Sequence, residues 1–199
     1  TYNGDNQAAS GATSKLNSNN NNIVSPTITY AYYSGTSCTG TALSAAPKNA
    51  GTYRVVATLT GTSNYNTSNS GCVAYTMNKK DVTLTAGSTS RAYTAGALTN
   101  STCTAGSNQL VSGHTVTCAM TSGSTITNVG SVDNTINTYS IKSGSTDVTS
   151  NYNVTTAKGT LTVTKSSTTT ALSNVTRTYT ASAQTVTSGA SAKYSDNTA

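Results

Sequence analysis

The chain has no Phe, no Trp and no Glu, and its 199 residues hold two Pro, two Met and one His. Each shortage excludes something. Without Glu, the side-chain carboxylates are Asp5, Asp81, Asp133, Asp147 and Asp196, scattered singly. A glycosidase needs two facing carboxylates, and a calcium loop needs several at fixed short spacing. Neither is expected. His114 stands alone and no C-x-x-C pair occurs, so a zinc site lacks ligands. No G-x-S-x-G elbow accompanies the many serines. His114 therefore reads as a surface residue, and no catalytic residue, metal or cofactor is predicted. Charged residues make up 8% of the chain, and its eleven cations form no run of five. A nucleic-acid or membrane-surface patch would need such a run. No apolar stretch approaches the length of a membrane-spanning helix, so no direct membrane insertion is expected.

What is present favours strands. Ser and Thr exceed a third of the residues, and Tyr supplies all twelve aromatics. Apolar residues reach only 34%, against a usual ~45–50%, so any core is thin. Thr and Tyr suit half-buried pleated surfaces. Apolar positions alternate with polar ones in 52–60, 72–78, 81–85, 114–120 and 159–165. A period of two puts one face in a core and the other in water. Turn signals separate the runs at Asn3-Gly4, Ser34-Gly35, Ala50-Gly51, Ser112-Gly113 and Ser143-Gly144. Short strands at this spacing, without helical periodicity, predict an all-β chain of β-sandwich type.

The chain also repeats itself. RAYTAGALT at 91–99 returns as RTYTASAQT at 177–185, and the opening TYNGDNQAASGATSK returns near 178–193. Self-similarity at a fixed period marks an array of like units. The strand ends at Lys79 and Lys165 divide the chain into 1–78, 79–165 and 166–199. The first unit lacks an opening strand, the second is complete and the third is a beginning. The cut predicts a fragment of a longer array. No Gly- or Pro-rich linker separates the units, so a semi-rigid rod is expected.

Four cysteines fall two per unit. Three connectivities are open to them, and pairing within units favours Cys38–Cys72 and Cys103–Cys118. By loop-closure entropy each bridge is worth about 3–4 kcal/mol. Disulfides imply an oxidising, extracellular compartment.

Several motifs recur in a fixed order: Tyr2-Asn3-Gly4 and Tyr93-Thr94-Ala95-Gly96, the A-G-T-Y-x-V opening at 50–55, Asn64-Tyr65 and Asn151-Tyr152, and the closing GTLTVTK at 159–165. In these the units resemble MBG domains, bacterial immunoglobulin-like repeats found in tandem in large surface proteins. The second unit departs by carrying NVGSV at 128–132, without the Tyr. The resemblance implies tandem immunoglobulin-like β-sandwiches set end to end in an adhesin, stalk or filament at the cell surface. It carries over no ligand-binding residue. The partners expected are neighbouring modules of the array, or identical chains in a fibre that polymerises head to tail by strand donation. A glycan-binding module is the competing expectation. Tyr33, opposite the core face of Tyr30 and Tyr32, is its candidate glycan contact. Sequons at Asn66, Asn100, Asn153 and Asn174 are candidate glycosylation sites.

Overall fold

The computed structural model describes residues 1–16, 19–23, 26–172, 178, 180–183 and 190–194. Among them the chain is all-β, relieved by one 3-10 turn. The first unit is built around one sheet of four strands: β1 (Ile28–Ser34), β2 (Gly51–Leu59), β3 (Ser68–Asn69) and β4 (Val73–Met77). β2 lies between the others and pairs antiparallel with all three. Its alternation works as the sequence predicts, burying Val55 and Leu59. In β4 only Met77 is buried, and Val73 is 47% exposed at the outer end. Gly4, Gly35, Gly113 and Gly144 take the left-handed φ that their turns need. Ala50-Gly51 is not a turn: Gly51 opens β2, opposite Met77.

The second unit has three three-stranded sheets. One is β12 (Tyr152–Ala157), β5 (Lys80–Ala86) and β7 (Cys103–Ala105). The second is β11 (Thr146–Asp147), β10 (Ile136–Ser143) and β8 (His114–Met120). The third is β6 (Thr89–Ala92), β13 (Gly159–Thr164) and β9 (Gly130–Asn134). The opening and closing strands of the unit pair in parallel, β5 with β12 and β6 with β13. Parallel pairing requires a long crossover, and the intervening strands provide it. Two further strands, β14 (Thr168–Leu172) and β15 (Ala190–Tyr194), form an antiparallel pair.

Three strand pairs change sheet at one level, and the residues there explain the closing GTLTVTK. β5 passes to β6 through Gly87, β12 passes to β13 through Lys158, and β9 passes to β10 beside Asn134. A side chain on Gly159 would run into the carbonyl oxygens of Ala86 and Gly87. Only glycine lets the strands cross this closely. Asn134, paired opposite Gly159 and fully buried, donates to the Gly87 and Asn100 oxygens at 2.8 Å each. It thereby satisfies the Gly87 carbonyl at the sheet change and the Asn100 carbonyl of the loop before β7.

The main core packs Val82, Leu84 and Ala86 of β5 against Ile136 and Ile141 of β10, with Cys103, Val116 and Cys118 beside them. Tyr2 and Met77 of the first unit belong to the same cluster. The boundary drawn from the sequence after residue 78 thus runs through a shared core. Two disulfides staple the chain, Cys38–Cys72 and Cys103–Cys118. The second joins β7 to β8 across this core.

Candidate functional site: the junction between the repeat units

The closing strand β4 ends at Met77 and β5 begins at Lys80, so two residues separate the units. A link this short forces the facing ends together. The contact is organised by Asn151, 3% exposed at the end of a 3-10 turn over Thr149–Asn151. Asp147 sets that turn by accepting the Thr149 N–H at 2.9 Å. This bond and the hydroxyls of Thr149 and Ser140 hold the Asp147 carboxyl below its ordinary titration range. Thr149 also accepts the Ile141 N–H through its hydroxyl at 2.8 Å. The turn is therefore fixed from both sides before it meets the first unit.

The Asn151 amide spans the junction. Its oxygen accepts the Ala50 N–H at 2.8 Å, and its nitrogen donates to Asn49 Oδ1 at 3.1 Å. One side chain thus pairs with both a backbone and a side-chain group just ahead of β2. An amide supplies donor and acceptor together, as neither Asp nor Leu can.

Beside it stands an aromatic cluster. Tyr2 enters with its N–H on the Asn78 carbonyl at 2.8 Å, which fixes it at the end of β4. Its ring packs edge-on to Tyr152 with centroids 5.6 Å apart, and lies 6.1 Å from the His114 ring. The Tyr152 hydroxyl accepts the Val111 N–H at 3.0 Å and meets His114 Nδ1 at 2.7 Å. Burial, then the Lys48 charge, lowers the His114 titration point below 6.5. Burial raises both Tyr2 and Tyr152. An open cleft of about 410 Å³ adjoins the cluster, lined by Tyr2, Asp5, Lys80, Val111 and His114 among others. Its one acid, Asp5, is exposed.

The structure corrects the reading of His114 as a surface residue: it is half-buried between the units. No sequence signal marked it, since its partners lie 38 residues downstream and at the chain's start. Among the described residues, no three His, Cys, Asp or Glu side chains cluster as metal ligands. No helix there is long and apolar enough to cross a membrane.

The remaining sequence candidates fall elsewhere. Tyr33 is half-buried on β1 opposite Arg54, while Tyr32 is buried with its hydroxyl accepting the Ala9 N–H at 2.7 Å. Asn66 is exposed. Asn100 turns its amide oxygen to the Thr102 N–H and hydroxyl at 2.9 and 2.7 Å. Asn153 is exposed and donates to Asp81 at 3.0 Å. Asn174 lies outside the described residues. The structure brings none of these together with the junction.

Comparison of the chain with protein-family models, with curated proteins and with solved structures finds no match. The all-β architecture and the two disulfides define the class: a disulfide-stabilised β-protein of a compartment outside the reducing cytoplasm.

Proposed function

We propose that the chain is a run of interlocked immunoglobulin-like modules acting as a semi-rigid spacer in an extracellular stalk, adhesin or filament. The reading follows the resemblance to MBG repeats. The observation that carries it is the junction. Two residues of linker, a core shared across the boundary and the Asn151 amide oppose bending between units. Flexible tethers and free-standing binding modules have no use for such a joint.

The disulfides suit a load-bearing part. Each closes a stretch of chain that cannot extend while the bridge is intact, 34 residues apart in sequence in the first unit and 15 in the second. Pulling the chain from its ends tests this. At ~3.5 Å per extended residue, reduction should add about 120 Å to the release from the first unit and about 50 Å to that from the second. Release that reduction leaves unchanged would remove the mechanical reading.

A second reading is a filament subunit joined head to tail by strand donation. It is favoured by β14 and β15, which pair antiparallel as β5 and β7 do, while the edge that β12 occupies on β5 has no occupant on β14 among the described residues. Glycan binding at Tyr33 finds less support, because the half-buried ring has no Tyr counterpart on β8.

A further inference from the structure

The junction between the two units is made of parts that occur twice in the sequence, and only one set is engaged. The donor half is Asn49-Ala50-Gly51; the second unit carries Asn128-Val129-Gly130 at the same place. The equivalence is structural as well. Gly51 pairs with Met77, the last residue of β4, and Gly130 with Val163, one residue before the end of β13. Asn78 accepts the Tyr2 N–H at 2.8 Å, and Thr164 accepts the Tyr93 N–H at 2.9 Å. The receiving half is Ser150-Asn151-Tyr152-Asn153; the first unit repeats it letter for letter as Ser63-Asn64-Tyr65-Asn66.

Burial separates the engaged halves from the idle ones. Asn151 and Tyr152 are each 3% exposed, whereas Asn64 is exposed and Tyr65 half-buried. Ala50 is half-buried under the junction, whereas Val129, in its place, is 51% exposed. Val129 stands where Ala50 gives its N–H to Asn151 of the next unit. One idle donor end and one idle receiving end remain, on different units.

We propose that these two ends bind each other between copies of this chain, so that Asn64-Tyr65 of one copy docks on Asn128-Val129 of the next. The Asn64 amide oxygen accepts the Val129 N–H and its nitrogen donates to Asn128 Oδ1, as Asn151 does with Ala50 and Asn49. β14 follows β13 after three residues, much as β5 follows β4 after two. It then lies along residues 65–70 of the docked copy, in the role that β5 plays beside β12. The loop at 62–65 must adjust to reach the 3-10 turn seen at Thr149–Asn151. This proposal rests on the repeat-array reading and gives its end-to-end contact.

Within the chain the tether raises the local concentration to order mM; between free copies nothing does, so the contact is sought at high protein concentration. Sedimentation equilibrium up to ~1 mM reads it. The wild-type chain should exceed its 20.1 kDa monomer mass and keep rising with concentration. Asn64→Ala or Val129→Asp, both at exposed positions, should each hold it near the monomer while circular dichroism stays native. The mixture of the two variants decides direction. The Val129→Asp chain keeps its receiving end and the Asn64→Ala chain keeps its donor end, so the mixture should stop at twice the monomer mass. A wild-type chain that stays monomeric, association that neither variant reduces, or variants that fail to complement would each overturn the proposal. None of these results touches the spacer reading, which depends on Asn151 inside one chain.

Discussion

Replacing Asn151 by Ala separates a joint that is held from units that are merely adjacent. Two hydrogen bonds disappear, from Ala50 N–H at 2.8 Å and to Asn49 at 3.1 Å. Each is worth about 1 kcal/mol net. Ala50 is half-buried, so its N–H is incompletely rehydrated and adds a desolvation cost. Exposed Asn49 regains water at little cost. Asn151→Ala should therefore lower the stability of the second unit by about 2–3 kcal/mol, with Asn49→Ala costing about 0.5–1. The double variant isolates the side-chain pair, with a coupling energy of about 0.5–1 kcal/mol. Urea unfolding followed by tyrosine fluorescence measures all three. Backbone ¹⁵N relaxation adds a readout specific to the joint: the two units should tumble as one body in the wild type and separately in Asn151→Ala. A loss below about 0.5 kcal/mol, together with unchanged tumbling, would refute the claim that this amide locks the units.

Gly159→Ala should destabilise by about 3 kcal/mol or more in thermal unfolding, because the added carbon meets backbone oxygens of Ala86 and Gly87 that cannot rotate away. Cys103→Ser with Cys118→Ser should cost about 3 kcal/mol, from the 15-residue separation that the bridge spans, and should loosen β7 from β8 in hydrogen exchange. The pH dependence follows from His114. Its folded titration point is lowered, so the neutral ring belongs to the folded state. Its contribution is complete above the unfolded value near 6.5 and is lost as pH falls from there through the folded value. An NMR titration should find the His114 midpoint below 6.5, and His114→Gln should remove that limb of the stability profile. A midpoint above 6.5 would contradict a ring kept neutral by burial and the Lys48 charge.

Local pattern revealed β2, β4, β5, β8 and β13, but not β9, β10 or β12, whose alternation is weaker. Alternation at 81–85 and 159–165 marks the faces that bury Val82, Leu84, Leu161 and Val163, since a two-residue period leaves one face for the core. The repeat placed Lys79 and Lys165 at the ends of closing strands; they stand in the short links just past β4 and β13, which end at Met77 and Thr164. Pairing of cysteines within units matched the bridges found, since each pair lies within one folded segment. Ala50-Gly51 misled as a turn, because glycine also serves to open a strand, and nothing local distinguishes the two uses.

The sequence by itself determined the strand class, the repeat and the compartment chemistry, because composition, alternation and cysteine spacing are properties of short segments. Tertiary structure decided the joint. Asn151 meets Ala50 and Asn49 across about a hundred positions, and Tyr2 reaches His114 and Tyr152 from the far end of the chain. Such contacts depend on which ends of two units the fold turns toward each other. Only then does the recurring Ser-Asn-Tyr-Asn become visible as a receptor, filled in one unit and open in the other.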